Sequence, residues 1–426
     1  MRIRHATGGL LALLLAGCAP VERGVSPPSA PSRSVSFLAF GDSGYSLDYL
    51  DPEDLTLALT REQFIAKARA SWIKDKRPIA EFTPPPMIAH PSNGGFVAAS
   101  GLMPVAKAMT DYCRSVARCQ FGVMLGDNIY PDGATLGADG RDDAKRFQDL
   151  FATPYGAFGW GDRDFRIYAT LGNHDWHTSR AAALSEVRYL STTRPFYMDG
   201  LAYAVQPPSA KGMVEVFAID THVLLAGEKV LDGKLADDGS EIPTTKLDTS
   251  EPWATPATDA ERAMVANLER RLKASKARWK IVIGHHPFWS SSGGKFEQAR
   301  TLRAVLLPTL CRYADLYLAG HEHTLEVATD SCATAVPGAG LSPLPNIVSG
   351  SAAKQRPLNR AFMAHQQRNY PQYRPLYVRG MIWGFAHLTL TDNAATVTMI
   401  STPDSGSGQP KVEFTQSFAR RNKASD

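Results

Sequence analysis

The sequence predicts an α/β fold with mixed β-sheets. Three observations support this: short apolar runs alternate with helical stretches, each run ends at a glycine or a polar turn, and the last two runs are typical of an antiparallel hairpin. Strands separated by helices favour parallel pairing, and a hairpin adds antiparallel strands. Mixed sheets are therefore expected.

Six apolar runs are predicted to be buried strands. They are short, rich in β-branched and aromatic residues, and bounded by turn residues, as strands of a covered sheet are. Their ranges are 35–40, 121–125, 165–171, 214–219, 279–283 and 316–319.

Two stretches, 102–116 and 258–275, have helical patterns. The second opens with Thr258 and has Glu261 three residues later, which is the pattern of a capping box. Residues 381–390 and 396–401, joined by a turn at Asp392-Asn393, predict the late hairpin.

The folded domain is predicted over residues 35–403. Two segments interrupt its alternation of strands and helices. Residues 46–93, with a Pro84-Pro85-Pro86 run, are predicted to be an insertion between the first two core strands. Residues 226–255 are polar and predict a long surface loop. Residues 404–426 are expected to be a polar C-terminal tail.

The composition limits the classes of partner. The 426-residue chain is 44% hydrophobic and 21% charged, with a formal net charge of +4. This suffices for a large core. A charge of this size, spread over the whole length, forms no basic stripe, so no nucleic-acid partner is implied.

The N-terminus predicts export. Arg2 and Arg4 precede a short Leu-rich stretch over 9–17, which is too short to span a bilayer and predicts a signal peptide over 1–18. The Leu15-to-Cys18 run resembles the lipobox of bacterial lipoproteins, in which the Cys18 position is lipidated. An ordinary secretory signal is the alternative. Residues 19–34 predict a flexible tether, and the expected location is periplasmic or cell-surface, with an outer-membrane anchor preferred because Ala19 follows Cys18.

Four cysteines remain after Cys18, and an even count in an oxidising envelope suggests two disulfides. Three pairings are open, and local spacing favours Cys113–Cys119 and Cys311–Cys332. None lies in a CxxC pattern, so a thiolate zinc site is not expected. Four buried free thiols are the alternative.

Five short motifs with metal-ligand chemistry follow five of the predicted strands, at the carboxyl ends where α/β folds place their sites. Their glycines let the backbone approach an ion closely. Their carboxylates, imidazoles and amide oxygen suit Fe, Mn and Zn. The motifs are Gly41-Asp42-Ser43-Gly44, Gly126-Asp127-Asn128-Ile129-Tyr130, Gly172-Asn173-His174-Asp175, Gly284-His285-His286-Pro287 and Gly320-His321-Glu322-His323.

In their order along the chain and in their residues, these motifs resemble those of the calcineurin-like metallophosphoesterases. Within that superfamily they are similar to the purple acid phosphatases, especially the tartrate-resistant type, because Tyr130 follows Asp127 by three residues and that subgroup uses a tyrosine as an Fe(III) phenolate. The resemblance covers about residues 35–401, apart from the two interrupting segments. It implies a four-layer α/β/β/α sandwich of two mixed sheets with flanking helices.

The resemblance also implies a centre of two metal ions, Fe(III) plus Fe, Zn or Mn. One carboxylate can bridge two cations roughly 3.5–4 Å apart, and Asp127 would do so. Asp42, Tyr130 and His323 would hold the first ion, and Asn173, His285 and His321 the second. A packed core tyrosine is the alternative for Tyr130.

The expected reaction follows from such a centre. Phosphate oxygens bind the metals, and a metal-bound hydroxide attacks phosphorus in line with the leaving alcohol. His174 is the candidate for protonating the leaving oxygen, and Asp175 is expected to orient its imidazole through a hydrogen bond.

One position departs from the subgroup. The tartrate-resistant type has an outer-sphere histidine nine residues after its fourth-motif ligand, where this chain has Gly294 followed by Lys295. Three alternatives stay open: Lys295 replaces that contact, the insertion brings in His90, or His174 acts alone. His286 is a further candidate for contact with the substrate.

The expected function is hydrolysis of small phosphate monoesters in the cell envelope, with membrane attachment only through Cys18. One alternative is a phosphodiesterase or nucleotide pyrophosphatase on the same metals. Others are a catalytically inactive envelope protein that binds through the same fold, and a metal-dependent redox role. The sequence does not predict an oligomeric state.

Overall fold

The computed structural model describes residues 33–248, 252–403 and 408–423 of the chain. The predicted signal peptide (1–18), its lipidation residue Cys18 and all but the last two residues of the tether (19–34) lie outside these ranges and stay predictions. Within the described ranges, no helix is long and apolar enough to cross a bilayer.

Apolar runs covered on both faces form the central strands. The six predicted runs are all strands, although the third is shorter than predicted because only Ile167–Thr170 pairs with its neighbours. In chain order the strands are β1 Val35–Phe40, β2 Met87–Ala89, β3 Phe96–Ala98, β4 Phe121–Leu125, β5 Ile167–Thr170, β6 Phe196–Tyr197, β7 Ala202–Val205, β8 Val214–Ile219, β9 Lys234–Leu235, β10 Glu241–Ile242, β11 Trp279–Ile283, β12 Leu316–Ala319, β13 Leu325–Asp330, β14 Leu344–Ser349, β15 Tyr373–Arg379, β16 Trp383–Leu390, β17 Ala394–Thr402 and β18 Lys411–Ala419.

The longer helices bury one apolar stripe, such as Leu102, Val105 and Met109 on the predicted helix at 102–116. A π-helical stretch, Gln148–Ala152, joins α4 to α5. The α-helices are α1 Pro52–Leu57, α2 Arg61–Lys74, α3 Leu102–Ser115, α4 Asp143–Phe147, α5 Thr153–Tyr155, α6 Arg180–Thr192, α7 Thr221–Ala226, α8 Asp259–Arg262, α9 Met264–Ala274, α10 Phe296–Val305, α11 Leu307–Tyr313 and α12 Arg360–Asn369.

The strands form two seven-stranded mixed sheets, as predicted. The first has the order β18-β17-β16-β1-β4-β5-β6, in which β1, β4, β5 and β6 run parallel. The second has the order β15-β13-β14-β12-β11-β8-β7, in which β8, β11, β12 and β14 run parallel. The predicted hairpin is the antiparallel pair β16–β17.

The two sheets pack face to face around one hydrophobic core. The Ser349 hydroxyl on β14 donates to the Ala39 carbonyl on β1 and accepts from Ala386 N, which satisfies buried polar groups between the sheets. On β16, Gly384 faces Leu325 of the second sheet, whereas Phe385 packs against Tyr112 of α3 on the outer side. The sandwich with flanking helices is therefore confirmed.

The predicted helix over 258–275 is two helices, α8 and α9, separated at Ala263. Thr258 caps the first, because its hydroxyl accepts from Glu261 N. The capping box is not closed in return, since the Glu261 carboxylate instead accepts from Ala257 N and pairs with Arg180. The start of the helix at Thr258 was predicted correctly, but its continuation through Ala263 was not.

The insertion is longer than predicted, and the long loop is partly regular. Residues 46–93 contain α1 and α2, but the hairpin of β2 with β3 extends the inserted unit to Ala98. Within 226–255, the strands β9 and β10 pair as a short antiparallel hairpin. Local backbone pairing gives the second segment an order that its polar composition did not indicate.

The predicted polar tail over 404–426 is wrong for most of its described residues. Lys411–Ala419 pairs with β17 as the edge strand β18. Beyond it, the Arg421 guanidinium donates to the carbonyls of Cys311 and Ser342, and Lys423 pairs with Asp315 at 2.8 Å. The alternation of Val412, Phe414 and Phe418 with polar residues was an available strand signal, since the two phenylalanines pack against the core.

Two disulfides join Cys113 to Cys119 and Cys311 to Cys332, which is the pairing that local spacing favoured. The first closes the end of α3 onto the segment before β4. The second connects α11 to the second residue after β13. The two bridges close loops of 6 and 21 residues, respectively.

Replacing Cys311 and Cys332 together by alanine should lower the free energy of unfolding by about 3 kcal/mol, because their bridge removes more loop entropy from the unfolded chain. The matched Cys113→Ala/Cys119→Ala variant should lose about 2 kcal/mol, since its loop is shorter. Urea unfolding followed by circular dichroism measures both. A larger loss for the shorter loop would contradict this ranking.

Candidate metal centre

The five motifs lie at the carboxyl ends of five strands. Three follow β1, β4 and β5, which are parallel neighbours in the first sheet. The other two follow β11 and β12, which are parallel neighbours in the second sheet. The Asp42 carboxylate accepts from His321 N at 2.8 Å and so joins the two groups of loops. The motifs therefore meet at one edge of the sandwich.

Three of the predicted ligands have strained backbones. The φ angles of Asp42, Asp127 and His321 are 55°, 52° and 68°, in the left-handed region that non-glycine residues rarely adopt. Such conformations persist only where the surroundings impose them, and they cluster at functional sites. At Gly172 a Cβ atom would lie 2.3 Å from Asp127 Oδ1, so only glycine lets this backbone approach the carboxylate.

The first group of predicted ligands converges on the Tyr130 hydroxyl. Its oxygen lies 3.0 Å from Asp42 Oδ1, 2.8 Å from Asp127 Oδ2 and 3.1 Å from His323 Nε2. One phenolic proton cannot serve the oxygens of both Asp42 and Asp127. The four atoms form a buried pocket of ligand atoms of the kind that a cation can satisfy.

The second group converges on Asn173 Oδ1. This oxygen lies 3.2 Å from His285 Nε2 and 2.9 Å from His321 Nδ1. His285 Nε2 is also 3.1 Å from His321 Nδ1 and 3.3 Å from Asp127 Oδ1. An amide oxygen, two imidazole nitrogens and a carboxylate oxygen therefore face one another.

The Asp127 carboxylate belongs to both groups. Its Oδ2 faces the Tyr130 hydroxyl, and its Oδ1 faces His285. Ligand atoms of Asp42, Asp127 and His323 lie within 4.8 Å of one another, as do those of Asp127, His285 and His321. One carboxylate with an oxygen in each of two ligand groups is the arrangement that a bridging ligand requires.

The hydrogen bonding of His285 tests whether metals fit this site. Its Nδ1 donates to the Leu125 carbonyl at 2.8 Å, because a carbonyl can only accept. In the neutral ring the Nε2 lone pair then points at the oxygens of Asn173 and Asp127, which are acceptors. Either a proton on Nε2 or a metal ion resolves this conflict, and the carbonyl fixes the tautomer that metal binding needs. The donor set fits two metal ions.

Burial and neighbouring charges shift the pKa values of the predicted ligands. Burial raises the pKa of Asp42 and of Tyr130 well above their ordinary values, and it lowers the pKa of His323 well below. Burial also opposes a charged His285, yet Asp127 and Asp42 raise its pKa to about 9. Bound cations would favour the ionised carboxylates and phenolate and the neutral imidazoles instead.

A sequence model of the calcineurin-like phosphoesterases matches residues 100–325. The chain belongs to this family. The match covers the second to fifth motifs, and the first motif precedes it. The resemblance inferred from the sequence is therefore confirmed at the family level.

Purple acid phosphatases are among the relatives of this phosphoesterase. The chain is 29% identical over 237 residues to purple acid phosphatase 17 of Arabidopsis thaliana, with 55% of this chain and 59% of the relative aligned. It is 25% identical over 286 residues to tartrate-resistant acid phosphatase type 5 of Mus musculus, with 66% and 74% aligned. The chain therefore spans about three-fifths of the length of the plant relative.

A solved structure has a similar arrangement over most of the chain. It is a purple acid phosphatase isolated from seeds of yellow lupin (Lupinus luteus), with a TM-score of 0.49 and 13% sequence identity. The superposition covers 92% of this phosphoesterase and 54% of the lupin chain.

The predicted bond between Asp175 and His174 is not present. The buried Asp175 carboxylate accepts from the backbone N–H groups of Asn128, Ile129 and Gly172. The His174 ring is oriented by the Pro131 carbonyl, which accepts from Nδ1, and it packs on the Tyr130 ring at 4.3 Å. Asp175 therefore fixes two motif loops and does not orient the imidazole.

The three other candidates for substrate contact differ in position. His286 is buried beside His321, with ring centroids 4.5 Å apart, and the Thr221 hydroxyl holds its Nδ1 at 2.9 Å. Lys295 lies at the start of α10 and lines a cavity next to the motif loops. His90 hydrogen-bonds to Leu47 and Ser92 within the insertion, and no hydrogen bond joins it to the predicted ligands.

Two basic residues of this edge were not identified from the sequence. Lys354 Nζ lies 4.3 Å from the centroid of the Tyr130 ring. The Arg356 guanidinium donates to the His321 carbonyl and pairs with the buried Glu322 at 3.0 Å. Both follow β14, an apolar run ending in Gly350 that resembles the strands of the other motifs. That apolar run was the sequence signal from which a sixth strand end with functional residues could have been predicted.

Asp127→Ala should remove both metals, because each ligand group loses one oxygen and the charge that screens two adjacent cations. Asp42→Ala is the matched variant and should lose chiefly the first ion, since Asp42 belongs to one group. Metal content per chain, measured by plasma mass spectrometry on native protein, distinguishes the two. An Asp127→Ala protein that still holds two ions would refute the bridging role.

Proposed function

We propose that this phosphoesterase hydrolyses phosphate monoesters at a centre of two metal ions. The observation that supports this most is the Asp127 carboxylate, whose two oxygens face two separate groups of ligand atoms. The family and the purple acid phosphatases among the relatives favour the same chemistry. A small phosphoester is the partner.

Two bound ions would supply Lewis acidity for the phosphate oxygens and an acidified water as the nucleophile. Asp42, Tyr130 and His323 would hold one ion, and Asn173, His285 and His321 the other, with Asp127 shared. Leu125 contributes through its carbonyl, which keeps His285 in the tautomer that presents Nε2.

His174 is positioned to exchange a proton with the leaving oxygen. Its Nδ1 is occupied by the Pro131 carbonyl, and its Nε2 has no hydrogen-bond partner among the described residues. Its backbone N–H donates to Asp127 Oδ1 at 2.9 Å, so the backbone that carries the ring is held against the Asp127 carboxylate. Burial lowers the pKa of His174 to about 4, so Nε2 would carry the proton that it donates to an alcohol oxygen mainly at acidic pH.

The direct test compares 4-nitrophenyl phosphate with its bis-ester on fully metallated protein. A monoesterase should have a kcat/KM at least about tenfold higher for the monoester, and Asp127→Ala should have no measurable rate on either. Preference for the bis-ester would favour a phosphodiesterase on the same ligands. No turnover of either ester would favour an inactive binding protein.

We further propose Fe(III) in the first site, with Fe, Zn or Mn in the second. Tyr130 supports this, since its hydroxyl lies in the first ligand group and a phenolate bound to Fe(III) absorbs visible light. Tyr130→Phe should abolish a broad visible band of the native protein. Tyr155→Phe alters another fully buried tyrosine and should retain the band. A band that survives in Tyr130→Phe would refute the assignment.

We also propose that Cys18 is lipidated, on the strength of the Leu15-to-Cys18 run, and that it anchors the protein to the outer membrane, because Ala19 follows it. Cys18→Ser should move the protein from the membrane to the soluble fraction of a bacterium that processes lipoproteins. Ser29→Ala, within the predicted tether, is the control and should leave fractionation unchanged. Equal membrane recovery of both variants would contradict lipidation.

A further inference from the structure

A cavity of about 540 Å³ lies next to the motif loops. We call it the cationic cleft, because six basic side chains line it and Asp75 is the one carboxylate among its lining residues. The basic residues are Lys74, Lys76, Arg77, Lys234, Lys295 and Arg356.

The cationic cleft adjoins the candidate metal centre through Arg356. The Arg356 backbone N–H donates to the His323 carbonyl at 3.0 Å, and its guanidinium donates to the His321 carbonyl at 3.2 Å. One wall of the cleft is thus attached directly to two predicted metal ligands. A molecule with one group at the metals can extend from there into the cleft.

The other walls come from segments that the family resemblance leaves unmatched. The end of α2 and the residues after it, within the insertion, supply Lys74, Lys76 and Arg77. The β9–β10 hairpin within the long loop supplies Lys234. Lys295 follows Gly294, the position at which the resemblance to the tartrate-resistant type implies a histidine. Separate departures from the family therefore add positive charge to one place.

The positive charge is only partly neutralised. Lys76 pairs with Asp237 at 2.8 Å, Arg77 with Asp75, and Arg356 with Glu322. Lys74, Lys234 and Lys295 form no ion pair with a described residue. The Arg77 side chain is only 7% exposed, and its buried Nε has no hydrogen-bond partner within the described ranges. The cleft thus holds unpaired cations and a buried donor.

We propose that the cationic cleft binds a second phosphate group, so that the substrate is a phosphomonoester whose organic part carries at least one further phosphate. This rests on the proposed function for the reacting phosphate. Crowded cations repel one another, and an anion between them relieves that repulsion. A concave cavity of this volume suits a small molecule and is too confined for a membrane surface or a nucleic-acid helix.

The cleft variant Lys74→Ala/Lys234→Ala/Lys295→Ala tests this on turnover. The control Lys107→Ala/Lys145→Ala/Lys411→Ala removes the same charge from three exposed lysines outside the cleft. Native protein and control should have a kcat/KM for fructose 1,6-bisphosphate at least about tenfold above that for fructose 6-phosphate. In the cleft variant the ratio should fall toward one. An unchanged ratio in the cleft variant would overturn the proposal.

Binding without turnover separates this proposal from the proposed function. Metal-free Asp127→Ala protein, titrated calorimetrically with inorganic tripolyphosphate, should bind it, and adding the three cleft substitutions should weaken binding at least about tenfold. Equal affinity with and without those lysines would refute the cleft site. Cleft-dependent binding in a protein whose metallated form turns over no phosphoester would support the cleft and refute the hydrolase.

Discussion

The Asp127 carboxylate is shared between two groups of ligand atoms, and the rest of the carboxyl edge is arranged around that sharing. One oxygen faces Tyr130 and the other faces His285, which come from different sheets. The sharing requires the two sheets to be held in one relative position. The Ser349 hydroxyl between β1, β14 and β16, and the bond from His321 N to Asp42, contribute to this. The sandwich is therefore a means of placing ligands from both sheets at one carboxylate.

The sequence predicted this edge well because strand ends are encoded locally. An apolar run followed by glycine and a polar residue indicates where a strand ends and which ligand type follows it, as at Leu125 and Asp127. The sequence could not predict which partner each side chain of a motif contacts. Asp175 adjoins His174 in the chain, yet their side chains serve different partners. Neighbours in sequence need not be neighbours in function, since consecutive side chains diverge.

The remaining errors have a common physical origin. The strand β18 mixes polar and apolar residues at a sheet edge, and Lys354 and Arg356 follow β14, which was not among the predicted strands. Pairing at an edge depends on a partner strand distant in the chain, so local composition carries little of the signal. The position of the insertion is likewise set by distant segments, because the end of α2 lines a cavity together with loops far away in the chain. Long-range placement, rather than residue type, limited the prediction.

Asp175 has a consequence for how the protein would acquire its metals. Its buried carboxylate ties the backbone at Asn128 and Ile129 to that at Gly172, and three predicted ligands are held in left-handed conformations. Within each of the two groups, the carboxylate and imidazole ligand atoms already lie within 4.8 Å of one another. In this respect the polypeptide resembles a macrocyclic chelator, whose donors are organised before the ion arrives. The entropic cost of gathering the ligands is met during folding, so little of the binding energy is spent on rearranging the chain.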